Sequence, residues 1–563
     1  MKFDEFPYKR LNINELKSKV DEIIGVFNSN SSFESQDQSL NQMNDLLAEY
    51  ESYESIAGLN FNRDTTSEKY KAEKDYYDNL SPEFKDLKNQ FNRAIMSSKC
   101  LPELKSKYGK HYFNIKATEQ KTFDSKIINL LKKETELENE YTSIIAGAEI
   151  DFKGKTYNLS GLGPFHKSQV RAIRKESFKA RYSFFDKNAE QLDDLYDRMV
   201  KLRHKIANQL GFENFIELGY YRLGRTDYGP EGVANFRKQI VEYIVPLVQK
   251  LNKQKQEILE LDHLYYYDGI QYKEGDPKPK ENPDKMVDAA KKMYNDLSKE
   301  TGEFFEMMVD ENLLDLVNRD GKMGGGFCTA FPKYERPYIF SNFNGTAHDV
   351  TVLTHEAGHA FQCYSSRKQP LVEYLWPTLE ACEIHSMSME FFTWPWMDLF
   401  FKEEVERFKY MHIVDSLSFL PYGACVDHFQ HWVYENPEAT PKKRKNKWLK
   451  LEKIYLPDRD YDDLDFPKSG GFWQGQLHIY QMPFYYIDYT LAQTCAFQFW
   501  IKSQNNMKTA WEDYYRLCKV GGSMPFTGLI DIAKLKSPFK DGTLKTVSKY
   551  VFNWLDSINP KEL

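Results

Sequence analysis

Helical periodicity runs through most of this chain and leaves few other folds open to it. The segments NINELKSKVDEIIGVF and SPEFKDLKNQFNRAI repeat apolar residues at intervals of three and four, with charged residues between them. This spacing places the apolar side chains along one face of a helix, whereas a half-buried strand requires strict alternation. Such alternation is rare in the 563 residues. The sequence therefore predicts a mostly α-helical protein.

A break in the helical pattern divides the chain. The segment EIDFKGKTYNLSGLGPF, residues 149–165, combines short alternation with several glycines, a composition that favours turns over helix. A chain of this length also exceeds the usual size of one domain several times. We therefore predict an N-terminal helical lobe at residues 1–165 and a second, larger domain at residues 166–563.

The charge balance argues against nucleic-acid and membrane partners. The chain has 76 basic and 83 acidic residues, a formal charge of −7, so no global field would draw it onto polyanions. Its most basic run, PKKRKNKWLKLEKI from residue 441, carries apolar residues at helical spacing and is predicted to be a solvated helix face. The sequence leaves the oligomeric state open.

Cysteine usage and the N-terminal residues favour a cytoplasmic protein. The seven cysteines are odd in number, scattered and never in a CxxC pair, which is typical of reduced thiols. The first residues, MKFDEFPYKRLNINELKSKV, are acidic where a signal peptide needs an apolar core. No window approaches eighteen uninterrupted apolar residues, the length of a membrane span.

The motif THEAGHA, residues 354–360, predicts a metal site on a helix. His355 and His359 are four residues apart, so on a helix they lie on one face about 5 to 6 Å apart. Both imidazoles can then bind one zinc ion at about 2.0 to 2.1 Å. Glu356 is rotated by about 100° from His355, out of the ligand set but within reach of a water, which is the position of a general base.

A chance occurrence of the motif on a helix surface is the alternative. The chain has 12 histidines, so such a pattern is a small but real risk. Val352, Leu353 and Ala357 indicate instead that the helix is buried, and buried histidines and carboxylates need partners. We therefore predict a zinc site.

A third protein ligand is expected from the segment PTLEACEIHSMSMEFF, residues 377–392, because zinc sites that act on water keep three protein ligands and one open position. The candidates are Glu380, Glu383, His385 and Glu390. Glu383 and Glu390 are seven residues apart and share one helical face. If Glu383 binds the metal, Glu390 is placed to hold a ligand histidine through its other ring nitrogen.

One segment departs from the helical pattern, just before the motif. MGGGFCTAFPKYERPYIFSNFNGTAHDV, residues 323–350, contains a β-branched and aromatic run followed by the turn signal Asn344-Gly345. We predict a small sheet that leads into a helix starting near His348 or Asp349. A free strand edge here would accept an extended peptide through main-chain hydrogen bonds, and a buried hairpin is the alternative.

The combined pattern resembles a known family. HEAGHAFQ, followed 24 residues after His359 by Glu383 within EIHSMSME, resembles the thimet-oligopeptidase family of zinc metallopeptidases, in its oligoendopeptidase F and Pz-peptidase branch. The resemblance covers about residues 165 to 550 and is weaker in the N-terminal part. It implies one zinc ion bound by His355, His359 and Glu383, with Glu356 as the base.

The family also implies an overall architecture and a second group of site residues. The fold implied is a two-lobed helical ellipsoid with a deep substrate channel and a small β-sheet beside the zinc helix. Family members have a histidine and tyrosines that stabilise the oxyanion, and these correspond to His478, Tyr486 and Tyr489 in the segment HIYQMPFYYIDYTLAQ, residues 478–493.

The geometry of that segment leaves the tyrosine assignment open. In one continuous helix Tyr485 and Tyr489 fall within about 20° of His478, and Tyr486 about 80° away. Pro483 lies inside the segment, and alignment with the family requires a one-residue gap. Without the resemblance, a tyrosine-rich helix is more often part of a packed core.

These observations predict a zinc-dependent oligoendopeptidase whose substrates are short unstructured peptides. Attack of a zinc-bound water on an internal peptide bond would use Glu356 as general base. The alternatives are a zinc carboxypeptidase or dipeptidase, and a non-catalytic helical peptide-binding protein with a structural metal. A structural site has no use for Glu356, and a terminus-specific peptidase needs a fixed cation that the sequence does not reveal.

Overall fold

The structure is a computed structural model that describes residues 1–29 and 32–563. Most of these residues are helical, and the strands are few and short. The predicted mostly α class, with a small sheet just before the motif helix, is confirmed. Within the described ranges, no helix combines the length and the apolar character needed to cross a membrane.

The α-helices of the described chain, in order, are α1 (Ile13–Ser29), α2 (Phe33–Arg63), α3 (Glu68–Met96), α4 (Leu101–Tyr108), α5 (Lys110–Thr122), α6 (Ile128–Ala146), α7 (Gly163–His166), α8 (Arg171–Lys187), α9 (Ala189–Gln209), α10 (Phe215–Arg222), α11 (Pro230–Gln239), α12 (Val245–Ile258), α13 (Pro283–Leu297), α14 (Lys299–Asp310), α15 (Ala347–Ser366), α16 (Leu379–Phe392), α17 (Asp398–Phe401), α18 (Val405–Glu435), α19 (Pro441–Tyr455), α20 (Leu477–Gln481), α21 (Tyr486–Asn505), α22 (Met507–Val520), α23 (Phe526–Ile532) and α24 (Thr543–Asp556). Short 3-10 turns occur between several of them.

The strands form two small sheets. The first is the hairpin of β1 (Ile150–Phe152) and β2 (Lys155–Tyr157), which accounts for the break in helical pattern. The second has the order β3-β5-β4, with β3 (Leu314–Val317), β4 (Phe327–Phe331) and β5 (Arg336–Phe343). In it, β5 is central, antiparallel to β4 and parallel to β3. The pairing of β3 was not predicted, because nothing in its local pattern indicates a partner some twenty residues away.

Capping residues show why the helices start where they do. Asn282 precedes α13 and its side chain accepts from the backbone N–H of Lys285, with proline at the first helical position. Thr440 precedes α19 and accepts from the N–H of Lys443, again with proline next. Both devices satisfy a free backbone donor and preset the first φ angle.

The chain forms two compact units, and each consists of three segments. The first unit contains Met1–Gln120, Lys278–Lys402 and Phe499–Leu535, and the second contains Lys121–Pro277, Glu403–Gln498 and Lys536–Leu563. The predicted domain division at 165/166 falls inside a segment of the second unit. The division into domains 1–165 and 166–563 stays a prediction, because the compact units are assembled from separate segments and have no single boundary along the chain.

The core of the first unit is built around α15 and α16. Gly358 lies on α15 where α16 passes, and a Cβ added there would sit 2.6 Å from the backbone oxygen of His385 and 2.7 Å from the Cα of Ser386. Only glycine permits this approach. The ring of Phe361 on α15 stacks on Trp511 of α22 at 5.7 Å, and the hydroxyl of Tyr514 donates to the His385 oxygen at 2.9 Å.

Buried ion pairs organise the second unit. Arg203 donates to Glu134 at 2.7 Å, and the Arg225–Asp488 pair is fully buried on both sides. A charge removed from water is tolerated only when it is paired and hydrogen-bonded. The first pair therefore joins α9 to α6, and the second joins the segment after α10 to α21.

Replacing Gly358 by alanine tests the helix contact. A methyl group would collide with backbone atoms of α16, so we expect a loss of about 1 to 3 kcal/mol in the free energy of unfolding despite the better helix propensity of alanine. The measurement is thermal unfolding followed by circular dichroism.

Gly25→Ala is the matched control for that substitution. Gly25 also lies in a helix, but nothing is within 4 Å of the position of its added Cβ. Its replacement should raise stability by up to about 1 kcal/mol. Equal effects of the two substitutions would contradict the close contact at Gly358.

Candidate metal centre and active site

The helix that carries the motif is fixed at its start by a carboxylate. α15 begins at Ala347, one or two residues before the predicted start. The carboxylate of Asp349 accepts from the backbone N–H of Asn344 at 2.9 Å and of Gly345 at 2.7 Å. Gly345 has a φ of +81°, the left-handed region that favours glycine. The predicted turn after β5 is therefore present and tied directly to the helix.

Three side chains converge on one point between α15 and α16. Nε2 of His355 lies 3.3 Å from Oε2 of Glu383, and Nε2 of His359 lies 3.6 Å from the same oxygen. One ligand atom from each of the three residues lies within 4.8 Å of the other two. Among the described residues, no further group of this kind was found.

These three residues fit a zinc ion. Zinc takes histidine nitrogen and carboxylate oxygen ligands at about 2.0 to 2.2 Å in a tetrahedron, which puts neighbouring ligand atoms about 3.4 Å apart. The nitrogen-to-oxygen distances of 3.3 and 3.6 Å agree with that spacing. Two nitrogens and one oxygen also form the ligand set expected when one position stays open for water.

Two further side chains orient the ligand candidates. Nδ1 of His355 lies 2.7 Å from Oε1 of Glu390, so the other nitrogen of that ring faces the point of convergence. The hydroxyl of Ser386 donates to Oε2 of Glu383 at 3.0 Å. The position of Glu390 matches the prediction from its spacing. Ser386 was not assigned a role, although it lies one turn from Glu383 and shares its face.

The electrostatics of the site favour a cation. Burial lowers the pKa of His355, but hydrogen bonds to Glu383 and Glu390 outweigh burial and raise it well above its ordinary value. Burial raises the pKa of Glu383, but the charges of His359 and His355 outweigh it and hold that pKa well below its ordinary value. The carboxylates thus stabilise positive charge at the point where the three residues meet.

Glu356 lies buried beside this point, with one oxygen available. Its Oε2 has no hydrogen-bond partner in the described part of the chain. Burial raises the pKa of Glu356, and the neighbouring histidines oppose that rise. Gly326, at the end of the glycine run before β4, lies against it, since an added Cβ would be 3.7 Å from Glu356 Oε1. A buried carboxylate with a free oxygen can accept a proton or a hydrogen bond from a bound molecule.

The other ligand candidates on α16 are not part of this group. Nδ1 of His385 lies 2.6 Å from the carbonyl oxygen of Ala381, and burial lowers the pKa of the ring to about 3. His385 is therefore a neutral core residue. Glu380 is buried on the same helix, outside the cluster that His355 and His359 form.

The second predicted group, His478, Tyr486 and Tyr489, lies in the second unit and is not carried by a single helix as expected. The continuous helix assumed for residues 478–493 is interrupted, because α20 ends at Gln481 and α21 begins at Tyr486. Pro483 disfavours helical backbone in the residue before it, and Phe484 then adopts a φ of +69°. Arg225 fixes this turn by donating to the Phe484 carbonyl at 2.7 Å and to Asp488.

The turn nevertheless gathers the predicted rings. The ring centre of His478 lies 5.1 Å from that of Tyr486, 5.6 Å from Tyr485 and 5.9 Å from Tyr489. Burial raises the pKa of Tyr486, so its hydroxyl keeps its proton near neutral pH. The segment therefore presents several hydrogen-bond donors side by side.

Two residues that the sequence reasoning missed set the orientation of His478. The hydroxyl of Tyr422 donates to Oε1 of Gln476 at 3.0 Å, so the amide nitrogen of Gln476 faces Nδ1 of His478, at 2.9 Å. That nitrogen of the ring is then the acceptor, and the proton of the neutral imidazole is on Nε2. No sequence signal links Tyr422, on α18, to a residue 56 positions later.

Comparison with known proteins places this arrangement in context. The profile described as peptidase family M3 matches residues 165–549, and that of the peptidase M3 N-terminal domain matches residues 3–123. The oligoendopeptidase F homologue of Borreliella burgdorferi is 24% identical over 70% of this chain and 68% of its own. The oligopeptidase PepF of Bacillus subtilis is 21% identical over 64% of this chain and 53% of its own.

A solved structure extends the similarity to the whole length. The structure of Pz peptidase A with an inhibitor superimposes on this chain with a TM-score of 0.95. The two are 48% identical, and the match covers all of both chains.

Proposed function

Since the chain belongs to peptidase family M3, we propose that it is a zinc-dependent oligoendopeptidase that hydrolyses internal bonds of short unstructured peptides. One observation carries the proposal. His355, His359 and Glu383 direct one ligand atom each to a common point, and the buried carboxylate of Glu356 lies beside them with a free oxygen. The names of the similar proteins, oligoendopeptidase and oligopeptidase, support the restriction to short peptides.

His355, His359 and Glu383 would hold one zinc ion, with Glu390 supporting His355. A zinc ion in such a site polarises a carbonyl and lowers the pKa of water to about 7. Glu390 would accept a hydrogen bond from Nδ1–H of His355, which keeps Nε2 available as a ligand and makes the ring a stronger electron donor to the metal.

Glu356 would act as the general base. Its free oxygen takes a proton from the water that attacks the peptide carbonyl, and later gives a proton to the leaving amine. Burial raises its pKa, and a carboxylate with a higher pKa is the better proton acceptor. A purely structural metal site would gain nothing from a buried carboxylate in this position.

His478, Tyr486 and Tyr489 would donate hydrogen bonds to the oxyanion that forms on the carbonyl. His478 carries its proton on Nε2, because Gln476 donates to the other ring nitrogen. Tyr486 keeps its hydroxyl proton at neutral pH, since burial raises its pKa. Donors fixed before the reaction stabilise developing charge better than water does.

Strand β4 offers a binding surface for an extended peptide. It lies at the edge of its sheet, and its residues Phe327, Cys328 and Thr329 are partly exposed. An edge strand presents unpaired main-chain groups to an added strand. Because β4 begins directly after Gly326, beside Glu356, a peptide paired with it would lead towards the base.

The zinc ligands can be tested by metal content. His355→Ala or His359→Ala should lower the affinity for zinc by orders of magnitude, because each removes one of three protein ligands. Glu390→Ala should lower it by about 10 to 100-fold, since it removes only support for a ligand. Zinc content, measured by atomic absorption after dialysis against increasing chelator concentrations, gives the zinc affinity of each variant.

Glu383→Ala and Glu380→Ala form the matched pair for the third ligand. Both remove a buried carboxylate from α16, but only Glu383 contacts the two histidines. Zinc loss in Glu380→Ala alone would show that the third ligand is assigned wrongly.

Replacing Glu356 by glutamine separates binding from chemistry. Glutamine keeps the size and the hydrogen bonding of the side chain but cannot take a proton, so zinc and peptide should still bind. Turnover of a peptide mixture should fall by about 10²-fold to 10⁴-fold. A rate within tenfold of the wild type, measured by mass spectrometry of the products, would remove the assigned role.

Removal of single hydroxyl groups tests the oxyanion donors. Tyr486→Phe or Tyr489→Phe should keep zinc and a near-normal KM, and lower kcat by at least about tenfold, because the interaction exists only in the transition state. Tyr485→Phe is the control. His478→Ala should also retain zinc, so zinc loss in that variant would place His478 among the ligands and contradict a three-ligand site.

A further inference from the structure

We propose that a cavity in the second unit binds a carboxylate of the substrate peptide together with a neighbouring aromatic or aliphatic side chain. The inference rests on the peptidase function proposed above and names a class of substrate for it. The cavity has a volume of about 420 Å³, within the range of small-ligand sites. Seven of its twelve lining residues are Phe or Tyr, two are arginines and none is Asp or Glu.

Arg181 supplies a positive charge without a counter-ion. In the described part of the chain it has neither a carboxylate within 4 Å nor a hydrogen bond, and its guanidinium lies 5.5 Å from the ring centre of Phe185. Two lysines on the same helix are paired with acidic residues, since Lys175 contacts Asp462 at 2.7 Å and Lys179 contacts Asp463 at 2.5 Å. Arg181 can therefore pair with an anion brought by a ligand.

Arg459 adds a second guanidinium, held in place by aromatic rings. Its central carbon lies 4.9 Å from the ring centre of Phe472 and 5.4 Å from that of Tyr266. Its nearest carboxylate is Glu452, 3.6 Å from Nη1, and that nitrogen is buried without a hydrogen-bond partner among the described residues. Two guanidinium groups with one carboxylate nearby leave the cavity electropositive.

His166 lines the cavity as a polar but uncharged ring. Its ring stacks on Phe178 with a centre distance of 4.0 Å. Burial and the charge of Arg181 lower the pKa of His166 to about 4, so the ring is neutral near pH 7. The positive charge of the cavity at neutral pH therefore comes from the arginines, whose planar guanidinium groups match the geometry of a carboxylate.

The wall of the cavity is continuous with the predicted oxyanion donors. Tyr422 lines the cavity, its ring centre lies 5.7 Å from that of Tyr486, and its hydroxyl donates to Gln476, the partner of His478. If His478 and Tyr486 contact the carbonyl under attack, the cavity accommodates another residue of the same peptide. An arginine in an aromatic cavity would select a residue that bears a carboxylate, as a free C-terminus or an acidic side chain.

Calorimetric titration of three peptides tests the inference. The titrated protein is zinc-loaded Glu356→Gln, which should bind peptide without turnover. The probes are an acetylated octapeptide of alanine and glycine ending in phenylalanine with a free carboxylate, the same peptide as a C-terminal amide, and the amide with glutamate beside the phenylalanine. At least one carboxylate-bearing probe should bind about tenfold or more tightly than the neutral amide, as expected for a charge-assisted hydrogen bond.

Substitutions at Arg181 show whether this cation causes the preference. Arg181→Gln, added to the Glu356→Gln protein, should abolish the preference for carboxylate-bearing peptides. Arg181→Lys keeps the positive charge and should therefore keep part of that preference. Lys179→Gln is the control, because it removes a charge from the same helix outside the cavity. Preference for the first probe identifies a terminal carboxylate, and preference for the third identifies an acidic side chain.

The outcomes separate this inference from the proposed function. Equal affinity for the three probes, no binding of any probe, or a preference that survives Arg181→Gln would overturn the inference. Cleavage of a mixed peptide library by the zinc-loaded wild type, abolished by a chelator, would leave the peptidase function standing in each of those cases. Absence of any cleavage would instead overturn the proposed function, and the calorimetric preference would still decide whether the cavity binds a carboxylate.

Discussion

The contact between α15 and α16 at Gly358 is the constraint on which the candidate metal centre depends. A Cβ added at Gly358 would lie 2.6 Å from the backbone of α16, so the two helices pass each other closely enough for side chains of both to meet. His355 and His359 lie on one helix, and Glu383 and Glu390 on the other. Because both helices are also anchored, at Asp349 and through Tyr514, the distances between these groups are set by backbone packing and not by flexible side chains.

The charges of the site are consistent with that packing. Glu356, Glu383 and Glu390 are all buried within a short stretch of the two helices. Burial of several carboxylates is costly unless positive charge compensates them. A protonated His355 compensates part of that charge. A divalent cation bound by the neutral rings of His355 and His359 would take over this role. Burial of these carboxylates destabilises the core when no cation is present, and the same negative charge favours binding of a cation there.

In the second unit, hydrogen bonds and ion pairs fix the positions of His478 and Tyr486. Arg225 fixes the turn at Phe484, and this turn brings Tyr486 beside His478. Tyr422 and Gln476 then determine which nitrogen of His478 carries the proton. The same Tyr422 also lines the cavity that contains Arg181. The orientation of the His478 ring and one wall of the neighbouring cavity thus depend on the same small set of polar contacts.

Local rules were sufficient to predict the helical class, the small sheet before α15, and the side-by-side placement of His355 and His359. Each follows from the period of a helix or strand, which any segment carries in its own residues. The same periodicity placed Glu390 two turns from Glu383. It could not decide between Glu383, Glu380 and His385, because the choice depends on which face of α16 packs against Gly358.

Tertiary structure alone decided the contacts between segments that are far apart in sequence. Each compact unit is assembled from three separate segments, which no composition break indicates. Tyr422, Gln476, Arg181 and Arg459 acquire their roles only when such segments meet. Arg181, the cation proposed above to pair with a carboxylate of the substrate, is of this kind. The sequence by itself determined which groups lie on each helix and strand, whereas tertiary packing determined which of those groups face one another, because side-chain neighbours across elements follow from long-range packing and not from the local period.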